Sequence, residues 1–226
     1  MNDLARQFLD AYLSAFPSKT VYTESFPIEM KASEKSESGW IKWKPIRGTL
    51  SESDYYQIEK DFGVLFPKTF ISWHQSYYFL DGDCSIIRLP ASNPNRPLDD
   101  LKQAINWSCS RHFISSKIYP FADEGNDIGP LVFDGRMPMQ DNEFPIRVYD
   151  HEYGGDLDGL SEIIFTSFSK LLECVIHYLT ELKTRKNFEI IPDFFEIDRE
   201  GAGRTGVDYW LSWVEIQKTC LDEFGQ

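Results

Sequence analysis

Three short apolar runs, Lys117 to Ala122, Pro130 to Phe133 and Pro145 to Tyr149, follow one another with only Gly- and Asp-rich loops between them. Strands that succeed each other through turns pair antiparallel, because a parallel return needs a helical crossover. This excludes an alternating βα architecture and predicts an α+β fold, a mainly antiparallel central sheet flanked by helices.

The flanking helices are marked by spacing. Asn2 or Asp3 opens a helix to Phe16 with Leu4, Phe8, Tyr12 and Phe16 on one stripe, and Pro17 stops it. Thr20 to Met30 alternates as a strand, Lys31 to Gly39 is a polar turn, and Trp40, Ile41, Trp43 and Ile46 mark a second strand, which makes a hairpin. Thr49 and Glu52 suggest a capping box for a helix to Phe62 ended by Gly63, and Pro67 opens another through Tyr78. A strand over Cys84 to Leu89 and a helix from Pro97 to Cys109 lead into the three-strand region. Ser167 then caps a helix, Phe168 to Leu182, whose Leu171, Leu172, Val175, Ile176 and Leu179 form a wide apolar face. A strand at Phe188 to Ile191, a mobile glycine hinge over Arg199 to Gly206 and a helix from Val207 to Phe224 complete the reading. One domain results, with an N-terminal helix and first strand in 1–39, a core in 40–183 and a C-terminal extension in 184–226.

Charge is distributed unevenly over this frame. Between Phe121 and Glu162 eleven carboxylates (Asp123, Glu124, Asp127, Asp134, Asp141, Glu143, Asp150, Glu152, Asp156, Asp158 and Glu162) meet two arginines, Arg136 and Arg147, so two minus eleven, or −9, of the chain's net −13 falls here. Like charge concentrated in this way repels itself in a compact domain and is most simply tolerated where a cationic partner meets it. Hydrophobic residues at 42% and aromatics at 15% exclude disorder as the explanation. The acidity excludes nucleic-acid phosphate as a ligand, since phosphate binding rests on clustered Lys and Arg. The nearest basic cluster, Lys183, Arg185 and Lys186, follows a helix and answers its dipole.

The first sixteen residues have acids among their apolar positions and no uninterrupted apolar stretch, which predicts neither a signal peptide nor a membrane span and a cytoplasmic location. The four cysteines, Cys84, Cys109, Cys174 and Cys220, form no CxxC pair and are expected as reduced, mostly buried thiols. Cys109 and His112 have metal-like spacing without a second pair.

Four segments in order, Ile58 to Phe70, Ile118 to Asp127, Pro145 to Glu152 and Ile163 to Leu172, together resemble the SUKH superfamily, which contains fungal cell-wall-synthesis regulators and many bacterial toxin-immunity proteins. The segment from Ile58 to Phe70, with Glu59, Gly63, Phe66, Pro67 and Phe70, is similar to that family's opening. Ile118 to Asp127 resembles its central strand and glycine-rich turn, Pro145 to Glu152 its next strand, and Ile163 to Leu172 the Ser-Phe start of its last core helix. These matches fall in the family's order and cover residues 40 to 182; the long N-terminal segment, the tail after Thr184 and Phe66 in place of the commoner Leu depart from it. The resemblance implies a binding protein without a shared catalytic constellation. The matched residues also have a plain physical role: Gly63, Gly125 and Gly129 sit where the chain reverses, and Phe121, Val132, Phe133, Ile146, Val148 and Phe168 are faces to bury.

No enzyme signature accompanies this scaffold. There is no GxxxxGK[ST], HExxH or GxSxG, and the string from Gly201 to Gly206, which fits GxGxxG, lacks the βαβ unit that would make it a phosphate cradle. His177 stands four residues before Glu181, a spacing for packing or a surface pair. His151 lies among Asp150, Glu152, Asp156 and Asp158, where an EF-hand-like pattern fails because Ser161 occupies the twelfth position and the acid comes one later at Glu162. No catalytic residue, metal or cofactor is therefore expected.

The expectation is a non-enzymatic binding protein, an immunity protein that neutralises a cognate toxin, such as a nuclease, through an acidic surface formed by Asp123, Glu124, Asp127, Asp150, Glu152, Asp156 and Asp158. A regulatory or scaffolding module is the alternative. Toxins that are not nucleases would bind elsewhere, through aromatics near Trp40 and Trp43, which otherwise serve as cross-strand packing.

Overall fold

Leu131, Phe133, Tyr119 and Phe121 point to one side of their strands while Ile118 and Val132 point to the other, so both sides of the central strands are apolar and need cover. In the computed structural model, which describes residues 2–22, 26–107, 110–137 and 142–224, that cover is supplied by helices on both sides. The sheet is an antiparallel meander of β5 (Ile87–Arg88), β6 (Ile118–Glu124), β7 (Pro130–Asp134) and β8 (Ile146–Val148), in that order. Register pairs Tyr119 with Phe133 and Val132 with Arg147, and slips between Pro120 and Ala122. The fold is α+β, as expected.

The larger core lies between this sheet and three helices, α1 (Asn2–Ala15), α3 (Lys68–Ser76) and α6 (Phe168–Glu181). Its centre is aromatic: Phe121 stacks on Phe133 with centroids 3.9 Å apart, and Phe70 meets both rings and Phe168 edge-on. Such pairs add about 0.5–1.5 kcal/mol each beyond the area they bury. On the other side Phe113, Ile118, Val132 and Tyr149 form a smaller cluster under α4 (Asp99–Ile105) and α5 (Ser110–Ser115). The helix expected from Pro97 is thus shorter, and a second helix follows it.

The N-terminal hairpin exists but is brief. β1 (Thr20–Val21) pairs antiparallel with β2 (Ile41–Lys42); of the remainder of the expected first strand, residues 23–25 lie outside the described residues and Ile28–Met30 form a 3-10 turn behind Pro27. β3 (Ile46–Arg47) leaves the hairpin and pairs with β4 (Tyr77–Tyr78), which ends α3 earlier than its periodicity suggested. α2 (Glu52–Phe62) starts two residues later than expected, capped by Ser51 rather than Thr49: the Ser51 backbone N–H and hydroxyl both donate to Asp54 Oδ2, at 2.8 and 2.7 Å. Gly63 ends it with φ 72°, where a side chain would be strained. Ser167 caps α6 as expected, its hydroxyl accepting from Lys170 N at 3.1 Å.

The tail overturns two expectations. Phe188 to Ile191 is not a strand: α7 (Asn187–Ile190) runs into a 3-10 turn and then α8 (Phe194–Ile197). Arg199 to Gly206 is not a mobile hinge, because Gly201–Thr205 form a π-helical turn packed into the core, with Gly201 and Ala202 buried. A Cβ on Gly201 would run into the Asp198 carboxylate and the Thr166 backbone N–H. Buried Asp198 explains the turn: it accepts from Thr166 N at 2.8 Å and Thr166 Oγ1 at 2.7 Å, tying the tail to the strap before α6. α9 (Val207–Phe224) then buries Trp210 against Phe165 and Phe194.

Candidate functional site

Antiparallel pairing puts the β6–β7 turn, residues 125–129, and the loop after β8, residues 150–162, at the same end of the sheet. They are fastened together: His151 donates its backbone N–H to Ile128 O at 3.0 Å, and its Nδ1 lies 2.6 Å from the same oxygen. The 150–162 loop holds its shape through two 3-10 turns, His151–Tyr153 and Leu157–Gly159, capped by Asp150, which accepts from Glu152 N at 2.9 Å, and Asp156, which accepts from Asp158 N at 3.1 Å. All seven carboxylates expected as a partner surface therefore fall in one region.

They do not play one part in it. Glu124 is withdrawn from the surface, 5% exposed, and so is not a contact residue. It accepts from Asn126 N at 2.5 Å, Ile128 N at 3.4 Å and the Tyr209 hydroxyl of α9 at 3.2 Å, so it shapes the turn and seats the tail helix. Burial pushes its pKa up, and the two backbone amides, Tyr209 and the Trp213 indole partly offset this. Asp150 is half-buried and, with Asp156, builds turns. Asp127 takes φ 63° at an exposed turn position, and Glu152 and Asp158 are exposed as well. Asp123 lies on the far side of the turn near Arg88; burial raises its pKa, Arg88 lowers it and Asp127 adds to the rise.

Two more carboxylates of the stretch, Asp134 and Glu143, are consumed internally, while Asp141 lies outside the described residues. Asp134 is 1% exposed and receives Arg136 and Arg147, each at 2.8 Å. Burial opposes its ionisation, but the two guanidiniums outweigh this and hold its carboxyl below the ordinary range. Glu143 caps α6, accepting from Phe168 N at 3.0 Å, Ser169 Oγ at 3.1 Å and Thr69 Oγ1, while burial raises its pKa. Both arginines of the stretch are thus bound to one buried carboxylate, and Arg147 only approaches the exposed Glu162 at 3.9 Å. Asp127, Glu152, Asp156 and Asp158 meet no cation within ion-pair distance among the described residues.

No family model, no curated protein and no solved structure matches the chain.

Beside the acidic end, between α4 and strands β5 and β6, a cleft of about 290 Å³ opens, lined by Arg88, Asp100, Gln103, Trp107 and Asp123 over an apolar floor that includes Leu89 and Ala122. Of these residues the sequence reading singled out only Asp123; the others sit on segments whose strand or helix character gave no sign that they converge. Burial raises the pKa of Asp100, which accepts from Ala91 N at 3.3 Å and is drawn back down by Arg96.

Other expectations have definite outcomes. His177 pairs with Asp193, Nε2 to Oδ2 2.8 Å, rather than with Glu181, and Arg185 shares that carboxylate at 2.5 Å. Cys84 and Cys174 are buried free thiols, whereas Cys220 is exposed; Cys109 lies outside the described residues, and with it the Cys109–His112 pair. Trp43 is buried against Tyr12, but Trp40 is 46% exposed and edge-on to exposed Tyr22 at 5.9 Å. No group of three or more potential metal ligands occurs among the described residues. No helix among them is long and apolar enough to cross a membrane.

Proposed function

We propose that this chain is a non-enzymatic binding protein of the immunity type, which neutralises a toxin protein by covering a basic surface with the acidic end of its sheet. The observation that carries the reading is the commitment of Arg136 and Arg147 to buried Asp134, which leaves Asp127, Glu152, Asp156 and Asp158 unmatched on one face. Unmatched carboxylates on a preformed loop pair attract a cationic surface at long range and speed its capture, and a nuclease carries such a surface where it grips phosphate. The ordered SUKH-like segments over residues 40 to 182 support the same reading.

The test is expression of the protein encoded by the adjacent gene, alone and together with this chain. Growth arrest by the neighbour, rescue by this chain and an association rate that falls by about tenfold or more with rising salt are expected. A quadruple variant, Asp127→Asn, Glu152→Lys, Asp156→Asn and Asp158→Lys, keeps the turn-forming side chains where they matter and should lose most of that rate. A harmless neighbour, or full rescue by the folded quadruple variant, refutes the proposal.

A further inference from the structure

We propose that the cleft between α4 and strands β5 and β6 receives a single arginine side chain of the partner protein, an inference that rests on the reading of this chain as a binder of a basic protein. A cavity of about 290 Å³ lies at the lower bound of small-molecule sites, too small for a nucleotide cofactor and suited to one long side chain. Its walls determine which. Asp100 and Asp123 stand on the cleft wall from α4 and β6, both exposed, so two carboxylates flank the opening. A cation seated between them is attracted by both, at a protein surface where charge interactions are stronger than in bulk water.

The neighbouring charges answer these two carboxylates only in part, Arg96 acting on Asp100 through space. Asp81, also on the cleft wall, is already held by Lys19 at 3.1 Å. Arg88 acts on Asp123 through space, and no ion pair within 4.0 Å joins them among the described residues. Trp107 supplies an aromatic wall, itself backed by Phe113 with centroids 5.8 Å apart and rings 12° from parallel. A planar, weakly hydrated guanidinium can lie against an indole while donating to carboxylates on either side; an ammonium offers neither the plane nor the fork. Gln103, exposed on α4, can add a carbonyl acceptor. The cleft is also open to a protein ligand: a second depression of about 380 Å³ shares Asp81, Ala91 and Asp100 with it and continues to the exposed Tyr22 and Trp40, giving an extended segment room on either side of the arginine.

The experiment titrates the isotope-labelled full chain with three blocked tripeptides, Gly-Arg-Gly, Gly-Lys-Gly and Gly-citrulline-Gly, and follows amide and indole resonances. Saturable shifts at Trp107, Gln103 and Ala91 with the arginine peptide are expected, with several-fold weaker binding of the lysine peptide and none of the neutral citrulline isostere. The double variant Asp100→Asn, Asp123→Asn should weaken binding by about tenfold or more, a step of about 1.4 kcal/mol. Gln103→Glu, which adds a charge at an exposed helix position, should tighten it several-fold, an outcome that misfolding could not produce. Equal shifts with citrulline, shifts confined to residues 127 and 152–158, or no saturation by about 10 mM peptide, overturn the assignment. Those results would leave the salt-dependent capture by the acidic end standing, whereas a failed rescue with intact arginine binding would remove the immunity reading and keep the cleft.

Discussion

Acidification should destabilise this protein through one ring. His74 in α3 is fully buried, with Nδ1 2.7 Å from the Tyr55 hydroxyl and its ring stacked on Phe70 at 5.7 Å. Burial lowers its pKa from 6.5 to about 4, and the Ala91 carbonyl offsets only part of this. A histidine depressed in the folded state leaves stability intact above its unfolded pKa; stability is lost as pH falls through 6.5 and the loss levels off below about 4, because the unfolded chain takes the proton first. With those two values, the loss between pH 7 and pH 5 is about 2 kcal/mol, approaching about 3 kcal/mol at pH 4. The buried carboxylates act in the opposite sense: Glu124 and Glu143, with pKa values raised by burial, favour the folded state as pH falls. Subtraction isolates the histidine. Denaturant melts of the natural chain and of His74→Phe at both pH values should differ in pH dependence by about 2 kcal/mol, even though the variant starts lower because Tyr55 loses its partner. Identical pH dependence in the two proteins would mean that His74 is not held neutral by burial, and the account of this core would fail.

Four further outcomes follow from the same contacts. Phe133→Ala removes the ring stacked on Phe121 and should cost about 3–5 kcal/mol in a denaturant melt. Gly201→Ala forces a methyl against the Asp198 carboxylate and the Thr166 amide and should cost about 1–3 kcal/mol, where a mobile hinge would have gained stability. Tyr209→Phe removes one hydrogen bond from buried Glu124 and should cost about 1–3 kcal/mol, with faster amide exchange in residues 125–129. Mapped by mass spectrometry after brief thiol labelling of the native protein, Cys220 should react far faster than Cys84 and Cys174, whose thiol pKa values burial pushes up.

The sheet and the three long helices, α1, α6 and α9, were legible because their patterns admit one reading. β6, β7 and β8 lie within a residue or two of their expected limits, and α6 and α9 carry helical stripes bounded by a cap or a glycine. Short apolar runs were not legible: Phe188 to Ile191 has the composition of a strand, and four residues cannot distinguish two periods. The glycines from 201 to 206 misled for a different reason. Glycine marks flexibility and close approach alike, and only the three-dimensional position of Asp198 and Thr166 tells which one applies. At the candidate site the sequence located the acidic loops but could not sort them. Glu124 and Asp134 turn inward because Tyr209 lies 85 residues away and Arg147 on a neighbouring strand, distances along the chain that no local pattern encodes.

The contact between Glu124 and Tyr209 also orders events during synthesis. The meander has all its strands once residue 148 has emerged, yet the carboxylate that shapes its acidic end waits a further 61 residues, from 148 to 209, for its hydroxyl donor, about 3–12 s at ordinary translation rates. Over that interval Glu124 sits at a half-built end, and Asp198 has yet to strap the segment before α6. A nascent chain can thus hold a complete sheet before it holds a finished binding surface, and a slow codon or a stall within residues 198–217 would lengthen that state without changing a single residue.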